Sequence, residues 1–198
     1  ILSKGHGVPI LYSVFSVLGW IKKNELNSLR QIDSRLQGHP DKIALEYLDS
    51  GSGALGQGIS ISIGFALAQT MQKNNGSSFC IVGDGEMQEG QIWEALQVSV
   101  HYNLDNLWAI VDVNEQQVDG AMSDVLDIGN ILKKINSFGA KCIEIDGHDI
   151  NAMRQAKNEN HIGKPLIILA RTSPYKGMKY LKTRFPRLHY VRFKSEEE

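Results

Sequence analysis

The residues with the clearest chemical potential are Asp84, set between Gly83 and Gly85, and Asn114, thirty positions further along the chain. Asp84 offers a carboxylate oxygen and Asn114 an amide carbonyl oxygen, and Mg²⁺ takes a few such ligands before phosphate oxygens and water complete its octahedron. The two glycines allow a tight turn in which main-chain N–H groups approach an anion. The pattern predicts a magnesium-diphosphate site, although Gly-Asp-Gly by itself is also an ordinary turn at the end of a strand.

Two apolar segments, over residues 79–82 and 107–112, precede these polar residues and have the pattern of buried parallel strands. The carboxyl ends of parallel strands lie at one edge of a sheet, so we expect Asp84 and Asn114 to converge there. Helical and extended patterns alternate along the chain, which predicts an α/β fold, one domain over residues 1–198, with a parallel sheet and helices on both faces. The other predicted strands are 141–145 and 166–170, and the predicted helices are 9–20, 24–30, 58–73, 89–102, 125–137 and 151–157.

The composition is that of a soluble globular protein, with 198 residues, 42% hydrophobic content and a formal net charge of −1. This charge balance implies neither nucleic acid nor an anionic membrane as a partner. No run approaches the roughly 20 apolar residues that cross a bilayer and no leader peptide is visible, so we expect a cytoplasmic location. Cys80 and Cys142 fall within predicted strands, where we expect reduced core residues rather than a disulfide.

The longer strings around these residues resemble thiamine-diphosphate (TPP) enzymes, and transketolase in particular. Similar segments occur in the same order along almost the whole chain: ILSKGHG at 1–7, LQGHP at 36–40, GALGQG at 53–58, GDGEMQEGQIWEAL at 83–96, VDVNEQQVDG at 111–120 and DGHD at 146–149. Gly-Asp-Gly followed by a gap and then Asn is similar to the TPP motif itself. The resemblance implies the thiamine-diphosphate-binding fold, and within it the domain that binds the diphosphate.

The same resemblance implies which residues hold the cofactor. Asp84, Asn114 and the main-chain carbonyl of Gln116 would bind Mg²⁺. The Gly85 amide would contact the diphosphate, and the loop that contains Leu55 would approach the pyrimidine and thiazolium rings. The implied cofactor-binding residues are His6, Gly53, Ala54, Leu55, Asp84, Gly85, Glu86 and Asn114.

Three histidines are implied in catalysis. His6, His39 and His189 match family positions near the diphosphate, the thiazolium or the substrate hydroxyls. Histidine suits proton transfer because its unperturbed pKa is about 6.5. At His189 the family usually has Trp-His-Gly, whereas this chain has Leu and Tyr as neighbours. The alignment there depends mainly on the acidic segment Ser-Glu-Glu at 195–197.

Glu89 and Glu94 are also implied in catalysis, because they match family positions at a subunit interface. In the family, glutamates there link two distant active sites and approach the catalytic glutamate of the partner. Each could instead be a solvated residue on an amphipathic helix. If the interface buries these carboxylates, their pKa should be raised and they could share a proton.

A TPP enzyme of this family needs a second, pyrimidine-binding domain, and none follows in this chain, which begins inside a family motif at Ile1. We therefore expect that an N-terminal segment precedes these residues and that a separate chain supplies the pyrimidine domain. Symmetric closure favours an assembly with two copies of each chain. The implied reaction is transfer of a two-carbon ketol unit from a ketose donor to an aldose acceptor, with substrates similar to sugar phosphates.

Two other functions remain open at this point. The α-subunit of a 2-oxoacid dehydrogenase shares the TPP motif and a split architecture, although the strings at 38–40 and 114–120 count against it. A non-catalytic relative kept as a binding partner is the second. The basic and aromatic stretch at 179–187 departs from the family, and it is a segment that docks on the partner, a loop that binds an anionic substrate, or a solvated loop.

Overall fold

A parallel sheet lies at the centre of the computed structural model, which describes residues 1–185, 188, 189, 191 and 195. The strands in chain order are β1 (Ser78–Gly83), β2 (Leu107–Val113), β3 (Gln116–Gln117), β4 (Gly120–Ala121), β5 (Lys141–Asp146) and β6 (Leu166–Arg171). The central sheet has the order β1-β2-β6-β5, with all neighbours parallel, and β3 pairs with β4 as a short antiparallel hairpin. Outside β1, the N–H of Ser3 donates to the carbonyl of Ile81 at 2.8 Å, so the first residues extend the sheet.

The helices connect the strands as βα units require. They are α1 (Val8–Val17), α2 (Gln57–Met71), α3 (Gly90–His101), α4 (Met122–Leu126), α5 (Ile131–Ser137) and α6 (Ile150–Ala156), with short 3₁₀ helices at Gly5–Gly7, Lys23–Ser28, Asp84–Gln88 and Lys179–Arg184. None of the helices described has the length and apolar character that a membrane crossing requires.

Strand β6 is buried on both faces, which explains its unbroken apolar run. Ile167 and Leu169 belong to the larger core, which α2, α3 and α5 cover, while Leu166 and Ile168 pack on the other face with Ala156 of α6. All four β6 side chains are at most 2% exposed. A strand without a polar face needs cover on both sides, so the predicted sheet with helices on both faces is confirmed.

A second apolar cluster holds the N-terminal part of the chain. Val8, Tyr12 and Phe15 of α1 pack with Leu36 and other buried residues of the loops that follow. The Tyr12 hydroxyl donates to the main-chain carbonyl of Gln37 at 3.1 Å. This cluster positions the two loops that carry His6 and His39.

The predicted strands and most of the predicted helices are confirmed to within a few residues, and one helix is wrong. Residues 125–137 form two short helices rather than one, because Asp127 Oδ1 accepts the N–H of Gly129 at 2.7 Å and Gly129 has φ of 69°. Asn130 then caps α5 by accepting the N–H of Lys133 at 2.9 Å. These local side-chain bonds compete with a continuous helix. The predicted helix at 24–30 is a 3₁₀ helix at Lys23–Ser28.

Both cysteines are buried and unpaired, as predicted. Burial raises the pKa of the Cys80 thiol to about 11 and that of Cys142 to about 12. Both thiols are therefore protonated at neutral pH and act as small apolar core residues.

Candidate cofactor site

The ends of β1 and β2 bring Asp84 and Asn114 together. The last pair in the register of these strands is Gly83 with Asp112, so the residues that follow leave the sheet side by side. Asp84 Oδ2 accepts hydrogen bonds from the main-chain N–H of Asn114 at 3.0 Å and from that of Glu115 at 2.6 Å. The predicted convergence at the carboxyl edge of the sheet is confirmed.

Asp84 is a buried carboxylate, with only 3% of the residue exposed. Burial raises the pKa of its carboxyl to about 6, and the charge of Asp112 acts in the same direction, against hydrogen bonds from three main-chain N–H groups. One of these is the Gly85 N–H, which Oδ1 accepts at 2.9 Å. A cation beside this group would offset the cost of holding its charge away from water.

The oxygen atoms around Asp84 fit a small divalent cation. Asn114 Oδ1 accepts the N–H of Gln116 at 2.9 Å, which fixes the turn after β2. Gln116 is 9% exposed, and its Oε1 is buried without a hydrogen-bond partner. Such an oxygen is costly unless a metal or its water satisfies it. Among the described residues, no group of three or more His, Cys, Asp or Glu side chains has the arrangement to hold a metal ion. One carboxylate with amide and phosphate oxygens suits Mg²⁺ better than Zn²⁺.

A cavity of about 340 Å³ adjoins these atoms and collects most of the predicted site residues. Its lining includes the predicted residues His6, Leu55, Asp84, Gly85, Glu86, Glu89, Asn114, Gln116 and His189. The predicted residues Gly53, Ala54, His39 and Glu94 are not part of the lining. Predicted residues from five separate segments therefore meet in one concave site.

The three predicted catalytic histidines approach one another. The rings of His6 and His189 have centroids 5.1 Å apart. His39 lies so close to Gly5 that a Cβ there would come within 2.9 Å of its Cδ2. Burial, followed by the charge of Lys4, lowers the pKa of His6 to about 4 and also lowers that of His189. His6 is therefore neutral at neutral pH, and its neutral ring can accept a hydrogen bond through one nitrogen and donate one through the other.

The glycine loop, residues 53–56 before α2, is hydrogen-bonded to residues of the same site. Gly56 has φ of 79°, a left-handed conformation that favours glycine, and its N–H donates to Glu86 Oε1 at 2.8 Å. The carbonyl of Leu55 accepts the side-chain amide of Gln91 at 2.7 Å. These bonds hold Leu55, which is 39% exposed, at the wall of the cavity.

Glu86 has a role that its sequence context did not reveal. It is 1% exposed, and its Oε1 accepts the Ser3 hydroxyl at 2.6 Å as well as the N–H of Gly56. Its Oε2 accepts the N–H of Gly83 at 2.7 Å. Both oxygens thus accept hydrogen bonds within the protein. The side chain joins the first residues, the glycine loop and the end of β1, and so fixes three segments of the site relative to one another.

Glu89 and Glu94 lie at and near the start of α3, and both are exposed. Glu89 reaches the cavity, whereas Glu94 lies on the outer side of the helix, away from it. Exposure in the single chain is compatible with a surface that another chain covers. Their role at an interface stays a prediction.

Three residues at the site were missed by the sequence analysis. Lys4 Nζ lies 2.6 Å from Asp112 Oδ2, and the Thr172 hydroxyl donates to Asp112 Oδ1. Lys4 also lines the cavity. The sequence feature that could have indicated Lys4 is its position two residues before His6, within the same family string.

The basic stretch at 179–187 is described only in part, since residues 186 and 187 lie outside the described residues, as do 196 and 197. The Arg184 guanidinium stacks on the ring of Tyr180, 5.0 Å from its centroid. Phe185 and Tyr175 form an edge-on ring pair beside a second cavity of about 860 Å³, where Arg171 is already paired with two glutamates. This stretch therefore borders the neighbouring cavity.

Comparison with known proteins identifies the family. Residues 1–178 match the family described as transketolase, thiamine diphosphate binding domain. The chain belongs to this family. It is 39% identical over 181 residues to transketolase-like protein 2 of Mus musculus, covering 90% of this chain and 29% of that protein. The predicted family and the thiamine-diphosphate-binding fold are confirmed.

Two further members of the transketolase family bear on its organisation and fold. The chain is 33% identical over 198 residues to an apulose-4-phosphate transketolase subunit of Actinobacillus succinogenes, covering 100% of this chain and 71% of that protein. Its fold is similar to that of transketolase from Leishmania mexicana, with a TM-score of 0.80 and 29% identity, covering 87% of this chain and 28% of that one. The chain thus spans under a third of the longer transketolases.

Proposed function

We propose that this chain is the diphosphate-binding subunit of a split, TPP-dependent transketolase, which transfers a two-carbon ketol unit from a ketose donor to an aldose acceptor. The observation that carries the proposal is the buried Asp84 carboxylate, held by the N–H groups of Asn114 and Glu115 where two neighbouring strands end. The family match supports the same reaction class.

Mg²⁺ would be held by Asp84, Asn114 and the main-chain carbonyl of Gln116. The unsatisfied Oε1 of Gln116 supports a polar guest at this point, either the ion or one of its waters. A Cβ at Gly85 would lie 3.3 Å from the Cβ of Gln117, so glycine allows this close approach of the two segments, and the Gly85 amide would contact the diphosphate. The Glu86 carboxylate supports these loops through its three hydrogen bonds.

Thiamine diphosphate, when bound, supplies a thiazolium carbon that attacks a ketose carbonyl and holds the electron pair of the broken carbon–carbon bond. His6 is neutral because its pKa is lowered to about 4, so a free ring nitrogen can accept a hydrogen bond from a sugar hydroxyl. His189 lies beside His6, and His39 packs against Gly5, the residue before His6, so these histidines would contact the same substrate. The loop against the cofactor rings would be Gly53, Ala54 and Leu55.

A separate pyrimidine-domain chain completes the site in this proposal, in an assembly with two copies of each chain. The Actinobacillus succinogenes relative, which is named as one subunit of its transketolase, supports a divided enzyme. Glu89 and Glu94 would lie at the contact between chains, since both are exposed here. Sugar-phosphate substrates and a cytoplasmic location belong to the same proposal.

The test is to purify the full polypeptide with its partner and assay ketose donors against an aldose acceptor in the presence of TPP and Mg²⁺. The wild type should transfer the ketol unit, Asp84→Asn should not, and the exposed control Asp33→Asn should behave as the wild type. Decarboxylation of 2-oxoacids without ketol transfer would favour the dehydrogenase subunit instead. If the complex shows no Mg²⁺-dependent TPP binding, the remaining explanation is that this chain is a non-catalytic relative.

A further inference from the structure

Lys4 is fixed at the same edge of the sheet as the predicted metal ligands. Its Nζ lies 2.6 Å from Asp112 Oδ2, and the other oxygen of Asp112 accepts the Thr172 hydroxyl. Asp112 is in β2 and Thr172 directly follows β6, so these contacts join the first loop of the chain to the ends of two strands. The position of the ammonium group is therefore set by the sheet itself.

The aliphatic stem of Lys4 lies along the turn that begins the predicted diphosphate site. A Cβ built at Gly83 would meet the Cβ of Lys4 at 3.7 Å and its Cδ at 3.8 Å, and one at Gly7 would meet its Cε at 3.6 Å. The Lys4 side chain is 14% exposed. The lining formed by the described residues contains carboxylates from Asp84, Glu86 and Glu89 but no lysine or arginine other than Lys4.

A diphosphate bound with one magnesium ion still carries negative charge, and the lining adds carboxylates to it. A lysine ammonium binds phosphate well as a compact point charge. It has three N–H donors, and Asp112 accepts one of them in this structure, which leaves two for other oxygens. We infer that Lys4 binds the oxygens of the cofactor diphosphate and that Asp112 and Thr172 position its ammonium group. This inference rests on the proposed function.

A purely structural ion pair is the competing explanation for these contacts. A partly exposed pair of this kind stabilises a fold only slightly, so Lys4→Gln would then change unfolding a little and leave ligand affinity alone. If Lys4 instead binds the diphosphate, Lys4→Gln should weaken ligand binding and change unfolding little. Replacing both members, as Lys4→Gln with Asp112→Asn, keeps the net charge of the site and leaves no single buried charge, which separates a direct contact from a general charge effect.

The experiment measures the affinity of Mg²⁺ with inorganic diphosphate, and of Mg²⁺ with TPP, by titration calorimetry of the full polypeptide in complex with its partner chain. Lys4→Gln and the double variant should each bind both probes roughly 10- to 100-fold more weakly, the range expected for one hydrogen bond between charged groups. Lys4→Arg, which keeps the positive charge and N–H donors in a larger side chain, should lose less affinity than Lys4→Gln. Affinity should also depend less on salt in Lys4→Gln than in the wild type. The control is Lys157→Gln, an exposed lysine at the end of α6, which should match the wild type.

Three outcomes decide the inference. Equal binding by Lys4→Gln and the wild type overturns it and leaves the proposed function standing. Recovery of affinity in the double variant overturns it as well, because net charge alone would then explain the loss. Failure of the wild type to bind either probe overturns the proposed function together with this inference. Thermal unfolding of each variant, compared with Lys157→Gln, shows that weaker binding is not a loss of folded protein.

Discussion

Replacing Glu86 with glutamine tests whether one buried carboxylate holds the loops of the cofactor site together. Oε1 accepts the Ser3 hydroxyl at 2.6 Å and the N–H of Gly56 at 2.8 Å, and Oε2 accepts the N–H of Gly83 at 2.7 Å. A glutamine has one carbonyl oxygen, and its NH₂ group would face at least one main-chain donor in place of an acceptor. Glu86→Gln therefore leaves a buried N–H unpaired and removes the charge from the remaining bonds.

The expected loss of stability follows from these bonds. An unpaired buried donor costs about 1–3 kcal/mol, and a hydrogen bond to a charged group contributes roughly 1 kcal/mol more than a neutral one. Glu86→Gln should thus lower the free energy of unfolding by about 3 kcal/mol, a large share of the stability of a domain. The same change should loosen Gly56 and Gly83 and weaken the binding of TPP.

The assay is urea unfolding at 25 °C, followed by circular dichroism. The control is Glu46→Gln, an exposed position where the same substitution should change the free energy by less than about 0.5 kcal/mol. If Glu86→Gln loses less than about 1 kcal/mol and unfolds like the control, the carboxylate does not hold these loops and the reasoning is refuted.

Four further predictions concern the site and the contact with the partner chain. The affinity for Mg²⁺ should fall as pH is lowered through about 6, because protons compete for Asp84, and a flat calorimetric profile from pH 5 to 7 would contradict this. Without metal, the pKa of Asp84 is raised in the folded protein, so the free energy of unfolding should fall as pH rises from 3.8 to about 6. Urea unfolding would detect this fall, and added Mg²⁺ should reverse it. Because the pKa of His6 is lowered in the folded protein, its contribution to stability is present above pH 6.5 and is lost as pH falls towards 4. NMR should show its imidazole titrating near pH 4, and a midpoint near 6.5 would count against the buried position of the ring. Glu94→Gln should unfold like the wild type yet reduce turnover or assembly with the partner chain, whereas unchanged turnover with TPP would exclude the interface role.

Local sequence patterns predicted the strands of the central sheet correctly, but they predicted the helix at 125–137 wrongly. Strand β6 was recognisable because a parallel strand that is buried on both faces needs apolar side chains on both. Strands β1 and β2 have similar apolar runs, although one face of β1 is exposed and one face of β2 is only partly buried. The helix at 125–137 was wrong because Asp127 and Asn130 satisfy neighbouring main-chain groups themselves, which breaks a pattern that looks helical in composition.

By itself, the sequence identified the thiamine-diphosphate-binding family and predicted Asp84 and Asn114 as ligands, since both residues occur in short strings typical of that family. Only the tertiary structure decided that Glu86 turns inward and that Lys4 enters the site. The reason is distance along the chain: the partners of these side chains lie 83 and 108 positions away, at Ser3 and Asp112. Contacts of that kind leave no periodic or local mark in a sequence, and they form only when the ends of the strands are brought to one edge of the sheet.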